Sequence, residues 1–307
     1  MTWHHPQTRE DWLALRRCGG STVGQLLGVS PYGGPWDVLA ERDGVQVEET
    51  GAMRLGRALE ADLLSRLDGY PLDGEPLDVQ PMGQRVWVGD GDDDWVSATP
   101  DALARGGRLV IEAKTVQTFR GHIAIRPDGE RVRIDLPPSD PDRVLGPGEL
   151  PTHWLCQVAW YVEHLPDAEE GVMVVGSRRA TSLDGLGEVR VYRLGSLSYL
   201  RTWLVEQARD RWHRWVLGDE RPPIDHTHAC REAQPRGDGA RAATPVEVEM
   251  MREHEALRDR AARLDRDLRR TQNHIRASMG DARKIRARGW SAAVDARGTL
   301  RIRGSMT

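Results

Sequence analysis

The stretch Ala98-Thr99-Pro100-Asp101, followed after ten residues by Glu112-Ala113-Lys114, decides how this chain reads. Arg108 to Thr115 is rich in β-branched residues and bounded by Gly106-Gly107, so the spacing predicts a strand. Side chains on a strand alternate between faces. Glu112 and Lys114 therefore share one face, while Leu109, Ile111 and Ala113 turn to the other, where a helix can cover them. Asp101 lies at the far end of the preceding turn and can fold back beside Glu112. Two carboxylates next to a lysine at a strand end form a hard-oxygen site suited to Mg²⁺ or Mn²⁺. Such an ion acidifies a bound water, and a lysine can orient that water or help deprotonate it. Lysine occurs only at Lys114 and Lys284, against 41 arginines. A lysine kept in such a chain marks a place where arginine does not serve.

Outward from this stretch, the periodicities define the elements. Residues 9–29 read as a helical region broken by glycine, with Ser21 as the N-cap of a short second helix that Gly28 closes. Trp36 to Arg42 restarts a helix. From Ala52 to Leu67 the leucines at 55, 59, 63, 64 and 67 recur at helical spacing and place Glu60 near the buried stripe. Arg85–Val88 and Trp95–Ala98 read as a hairpin around an acidic turn. Residues 120–151, polar and rich in Pro and Gly, read as an insertion or a mobile loop. Trp154–His164 is a predicted helix, Val172–Val175 and Val189–Tyr192 are predicted strands, and Leu197–Leu217 is a Trp-rich helix. This order predicts an α/β fold, a mixed sheet with helices on both faces. The boundaries expected are a core over 1–224, a linker over 225–243 and an appendage over 244–307. In the appendage, Thr244-Pro245-Val246-Glu247 is a capping box that opens a helix running to about Met279. Its seam is Leu257, Ala261, Leu264, Leu268 and Ile275, and a hairpin over 290–303 follows.

The pattern Pro-Asp…Glu-Ala-Lys resembles the PD-(D/E)xK nuclease signature. Four motifs, in order over about residues 10–217, resemble the phage lambda exonuclease/YqaJ-type recombination exonucleases. They are Arg17-Cys-Gly-Gly-Ser21 with Leu27-Gly-Val-Ser-Pro-Tyr32, Gly56-Arg-Ala-Leu-Glu60, the Asp101–Lys114 stretch, and Trp154-Leu-Cys-Gln157-Val158. The family's Pro-Asp-Gly is Pro-Asp-Ala here.

The resemblance implies a restriction-endonuclease-like α/β core and Mg²⁺-dependent degradation of linear double-stranded DNA from a 5′ end. A ring trimer and a single-strand annealing protein as partner are implied with it, in the cytoplasm of a bacterial host of a phage or integrated element. Carried onto matching positions, Asp101, Glu112 and the Ala113 carbonyl bind the metal. Lys114 positions the water, Glu60 assists indirectly or through a second ion, and Gln157 holds the water or the scissile phosphate. Ser21 and Arg17 hold the terminal 5′-phosphate. Two other readings stay open: a different PD-(D/E)xK DNA endonuclease, and an inactive fold that binds DNA ends or a partner.

Composition bounds the alternatives. The 307 residues are 39% hydrophobic and 29% charged, enough for a packed core. The three cysteines, Cys18, Cys156 and Cys230, are too few for a four-cysteine iron–sulfur or zinc site built from this chain. No apolar run suits a membrane span, and the N-terminus lacks a signal-peptide pattern. His226, His228 and Cys230 lie in a polar stretch without a fourth ligand. Residues 251–307 hold 15 basic against 7 acidic residues, whereas the rest of the chain carries 28 against 40. The basic segment can pair with the acidic body, collect duplex DNA, or serve as an assembly surface.

Overall fold

Eight consecutive residues, Leu109–Val116, are buried or half-buried along both faces, as the middle strand of a sheet sandwiched between helices must be. The computed structural model describes residues 2–15, 17–45, 50–126, 128–140, 143–178, 186–234, 242–287, 290–295 and 299–304. It begins with β1 (Thr2–His4), α1 (Arg9–Leu15), α2 (Gly20–Leu26), α3 (Pro35–Arg42) and α4 (Gly51–Leu67). Short strands follow: β2 (Pro71–Leu72), β3 (Glu75–Pro76), β4 (Gln80–Pro81), β5 (Val86–Val88), β6 (Ser97–Ala98) and β7 (Ala102–Ala104). Next are β8 (Leu109–Val116), β9 (His122–Ile125), β10 (Arg131–Ile134), α5 (Thr152–His164), β11 (Glu170–Arg178), β12 (Leu186–Gly195) and α6 (Ser198–Arg211). The chain ends with α7 (His228–Ala233), α8 (Pro245–Met279), β13 (Lys284–Ala287), β14 (Trp290–Val294) and β15 (Leu300–Gly304).

The central sheet has the order β12-β11-β8-β7-β4. Strands β8 and β11 are parallel and every other pair is antiparallel, so the sheet is mixed. Parallel neighbours need a crossover, and α5 lies within it. On one face, Leu59, Leu63, Leu64 and Leu67 of α4 pack on Leu109, Ile111, Val172 and Val174. On the other, Val110, Val116, Met173 and Val175 pack under α2, α5 and α6 with Trp154, Val158 and Leu204. The alternation expected for 108–115 is therefore realised, with a helix on each face. Truncating any one of these α4 leucines to alanine costs about 2–5 kcal/mol. The fold is α/β, a mixed central sheet flanked by helices.

Four local expectations need correction. Residues 120–151 are not simply a loop: β9 and β10 pair as a hairpin, and Leu136, Leu145 and Leu150 are buried. The alternation of Arg131-Val-Arg-Ile and the apolar run Ile123-Ala-Ile125 carry this, masked by surrounding charge. Ser21 does not cap α2; Gly19 is the N-cap, in extended conformation, and Ser21 lies inside the helix. The stretch 225–243 is not all linker, since α7 forms in it, capped by the Thr227 side chain, and buries Cys230. Residues 235–241 of that stretch lie outside the described residues. The C-terminal hairpin is a three-stranded sheet, because Lys284–Ala287 adds β13 to β14.

The chain divides into two units, Met1–Pro235 and Arg236–Thr307. In the second, the capping box forms as predicted: the Glu247 amide donates to Thr244 Oγ1 and the Thr244 amide to Glu247 Oε2. Gly280, at a φ of 51°, ends α8. Met279, Ala292 and Leu300, with Ile275 against them, form this unit's small core.

Candidate active site

The turn after β6 delivers Asp101 to the edge of β8. Strand β7 starts at Ala102 opposite Ile111, so the strand edge beyond Ile111 on that side has no ladder partner in β7. The Asp101 carboxylate fills the place instead: its Oδ2 accepts the Ala113 amide at 2.7 Å. Amide and carbonyl of one strand residue leave the same edge, so the Ala113 carbonyl faces the Asp101 side. The turn is held from behind by Trp160 Nε1, which donates to the Ser97 carbonyl, and by the Ser97 amide, which donates to the Cys18 carbonyl.

On the α5 face of β8, Lys114 Nζ donates to Glu112 Oε1 at 2.5 Å and to Gln157 Oε1 at 3.0 Å. Gln157 Nε2 donates to the same Glu112 oxygen at 2.6 Å. One turn further along α5, the Tyr161 hydroxyl takes the other Gln157 Nε2 hydrogen and donates to the Thr99 carbonyl. Glu112, Gln157, Tyr161, Thr99, Asp101 and Ala113 thus form a circuit that fixes the acids relative to one another. Glu112 is 2% exposed, and its second oxygen, Oε2, is buried without a hydrogen-bond partner. Asp101 lies within hydrogen-bond reach of the Glu112 carboxyl, so without a cation one of the two acids must carry a proton, and an oxygen there without an N–H donor invites a cation.

The electrostatics agree with crowded acids. Burial and the neighbouring Asp101 push Glu112 up to about 8. Burial, then Asp101, raises Glu60 on α4 to about 7. Asp101 is raised by burial as well, against the pull of Lys114. For Lys114, burial works to lower the ammonium, but Glu112, Asp101 and Glu60 together outweigh it and hold it charged. Among the described residues, no three His, Cys, Asp or Glu side chains gather closely enough to hold an ion by themselves. The donors available are two carboxylates with a strand carbonyl beside them, and Glu60 stands within electrostatic reach only.

Sequence reasoning names Asp101, Glu112, Lys114 and Gln157, and the structure brings all four together. Arg17 and Ser21 lie on the segment alongside β6: the Arg17 amide donates to Ser97 Oγ, and Cys18 bridges to Val96. Gly20 is required there, because a Cβ would stand 2.6 Å from the Tyr161 ring. Ser21 is exposed, and the Arg17 guanidinium donates to the Ala14 carbonyl.

Two site residues escape the sequence reading, Tyr161 and His153. With Gln157 they recur every fourth residue along α5, a one-face stripe that marks them. His153 has both ring nitrogens buried without a partner, and burial, then Lys114, pulls it down to about 3. It borders a cleft of about 210 Å³ that Tyr32, His122 and Trp154 also line. Tyr32 stands edge-on to His153 at 5.5 Å between ring centres.

No protein-family model matches the chain, and no curated protein does. Among solved structures, the chain is similar to an alkaline exonuclease, LHK-Exo, from Laribacter hongkongensis. The two are 15% identical with a TM-score of 0.40, over 66% of this chain and 90% of that one. LHK-Exo in complex with dAMP is similar at 13% identity and a TM-score of 0.37, over the same shares.

Proposed function

We propose that this chain is a divalent-metal-dependent nuclease that degrades linear double-stranded DNA from a 5′ end. The observation that carries the reading is the circuit around Glu112. A lysine and a glutamine, backed by a tyrosine, hold the buried Glu112 beside the half-buried Asp101, while one Glu112 oxygen receives no N–H donor.

Asp101, Glu112 and the Ala113 carbonyl would hold Mg²⁺ or Mn²⁺, hard-oxygen donors for a hard cation. When bound, the ion supplies a Lewis acid that acidifies water and offsets phosphate charge. The chain's own groups do the rest. Lys114 stays an ammonium with three N–H bonds, two of them committed to Glu112 and Gln157. The third is left to orient a water or a phosphate oxygen. Gln157 grips both Lys114 and Glu112, so it sets their spacing. Glu60, uncharged or charged near neutral pH, acts on the cluster from a distance. Arg17 and Ser21 would hold the terminal 5′-phosphate through charge-assisted hydrogen bonds. The 5′ polarity, the annealing-protein partner that would receive the 3′ strand, and a homo-oligomeric assembly rest on the family resemblance.

Timed digestion of linear, nicked and circular duplex, with Mg²⁺ and with chelator, tests the reading. Linear DNA lost faster from 5′-phosphate than from 5′-hydroxyl ends, only with metal, is the result expected. Equal cutting of closed circles points to an endonuclease, and binding without cutting points to a scaffold.

A further inference from the structure

One buried hydroxyl joins the two sides of the acidic site. Asp101 is carried by the turn after β6, and Glu112 is gripped from α5 through Gln157. Tyr161 stands between them, 1% exposed. Its hydroxyl has a single hydrogen, which goes to the Thr99 carbonyl at 3.2 Å, two residues before Asp101. The lone pairs are left to accept, and they take Gln157 Nε2 at 3.2 Å. This polarity fixes the Gln157 amide, with its nitrogen towards Tyr161 and Glu112 and its oxygen towards Lys114. Pro100, next in the turn, has no N–H with which to anchor it.

The ring itself is boxed in by packing. A Cβ on Gly20 of α2 would stand 2.6 Å from one ring carbon and 2.8 Å from the hydroxyl oxygen. Trp160, the residue before it on α5, donates from Nε1 to the Ser97 carbonyl of β6 at 3.0 Å. The hydroxyl is therefore delivered to the Asp101 turn by a ring whose place does not depend on it. We propose that Tyr161 is a positioning residue for the metal ligands: its hydroxyl sets the spacing of Asp101 and Glu112, and through it the affinity for a divalent cation. This rests on the metal-dependent nuclease reading. Without a cation the two acids can share a proton. With a cation in place of that proton the two carboxylates repel, and the frame behind them must hold their spacing. Groups that orient ligands from behind carry about 10–100-fold in metal affinity.

The test titrates Mn²⁺ into the full chain without DNA, by calorimetry. Tyr161→Phe keeps the ring against Gly20 and removes the hydroxyl alone. Its Kd for Mn²⁺ should rise about 10- to 100-fold, and the Mg²⁺ concentration for half-maximal cutting should rise in step. Tyr192→Phe is the control. It removes a hydroxyl that donates to the Pro137 carbonyl at 2.8 Å, on β12 and two strands from Glu112, and should bind Mn²⁺ like wild type. Gly20→Ala pushes on the ring with the hydroxyl still present. It should weaken Mn²⁺ binding too, and it keeps the proposal testable if the phenylalanine variant misfolds. Unchanged Mn²⁺ affinity in folded Tyr161→Phe overturns the proposal and leaves the nuclease reading standing. An equal loss in Tyr192→Phe does the same, since it reports general loosening. A wild type that takes up no Mn²⁺ overturns both.

Discussion

Gln157 Nε2 and Lys114 Nζ donate to the same oxygen of Glu112, at 2.6 and 2.5 Å, and Gln157 Oε1 closes the triangle by accepting from Lys114 at 3.0 Å. One amide therefore holds the Lys114 ammonium and the Glu112 carboxyl at once. Gln157→Leu removes both grips without adding charge. Activity is expected to fall roughly 10–100-fold, as for other groups that orient metal-site residues. The circular dichroism spectrum should not change. Wild-type rates in a folded Gln157→Leu protein would show that the triangle is packing alone.

Lys114→Arg keeps the charge and should still fail. The guanidinium is planar and broad, whereas Lys114 occupies a point between Glu112 and Gln157 with a quarter of its side chain exposed. A loss on the order of 10²–10³ in rate is expected, comparable with removing one preorganised donor. Retained turnover would break the link drawn between lysine scarcity and function.

Asp101→Asn separates stability from activity. The asparagine oxygen can still accept the Ala113 amide, while the like charge beside Glu112 and Glu60 disappears. In chelator, the variant should be more stable than wild type by on the order of 1 kcal/mol, read as a higher unfolding temperature. With Mg²⁺ it should cut no DNA. Lower stability in chelator would mean that Asp101 is held more by its neighbours than it is repelled.

Much of this site was legible because its residues sit on strong periodicities. β8 and α4 turn faces inward at spacings of two and of three to four, so Glu112, Lys114 and Glu60 could be placed from sequence, whereas the family resemblance places Gln157. The capping box of α8 was legible for the same local reason. What escaped depends on tertiary contact. Gly19 replaces Ser21 as cap because α2 is pressed so closely on Tyr161 that Gly20 leaves no room for a side chain. The β9–β10 hairpin hid behind arginines on its exposed edge. Tyr161 and His153 carry no charge pattern; their spacing puts them on the face of Gln157, but only the folded chain shows that this face meets Glu112 and Thr99.

Tyr32 is 81% exposed at the mouth of the cleft beside His153, an aromatic face on which an unpaired base can stack. Tyr32→Ala should weaken binding of a duplex with a frayed 5′ end roughly 5- to 150-fold, the range given by about 1–3 kcal/mol per stacked base. Tyr32→Phe should bind like wild type. Fluorescence anisotropy in chelator measures this without cutting. Equal binding by all three proteins would leave Tyr32 a bystander.

His164 gives the fold a pH dependence of its own, away from the acids. It is buried on α5 against Trp160, 4.3 Å between ring centres, with Nε2 unpartnered. Burial pulls it from 6.5 to about 4; Asp93 opposes this and Arg209 adds to it, and those two form an ion pair with each other. A depressed imidazole stays neutral in the fold while the unfolded chain takes up a proton. Above the ordinary value of 6.5 it costs nothing. As pH falls from 6.5 towards about 4, the unfolded state binds the extra proton and stability drops, by at most about 1.4 kcal/mol per pH unit for one group. Below about 4 the histidine titrates in the fold as well and its contribution levels off. His153, pulled down to about 3, adds a second proton over the same window. His164→Gln should therefore lower the slope of stability against pH between 6.5 and 4 by close to one proton and leave the slope above 7 untouched. Denaturant melts at half-unit intervals of pH, compared between wild type and variant, read this directly. An unchanged slope would mean that His164 is protonated in the folded chain.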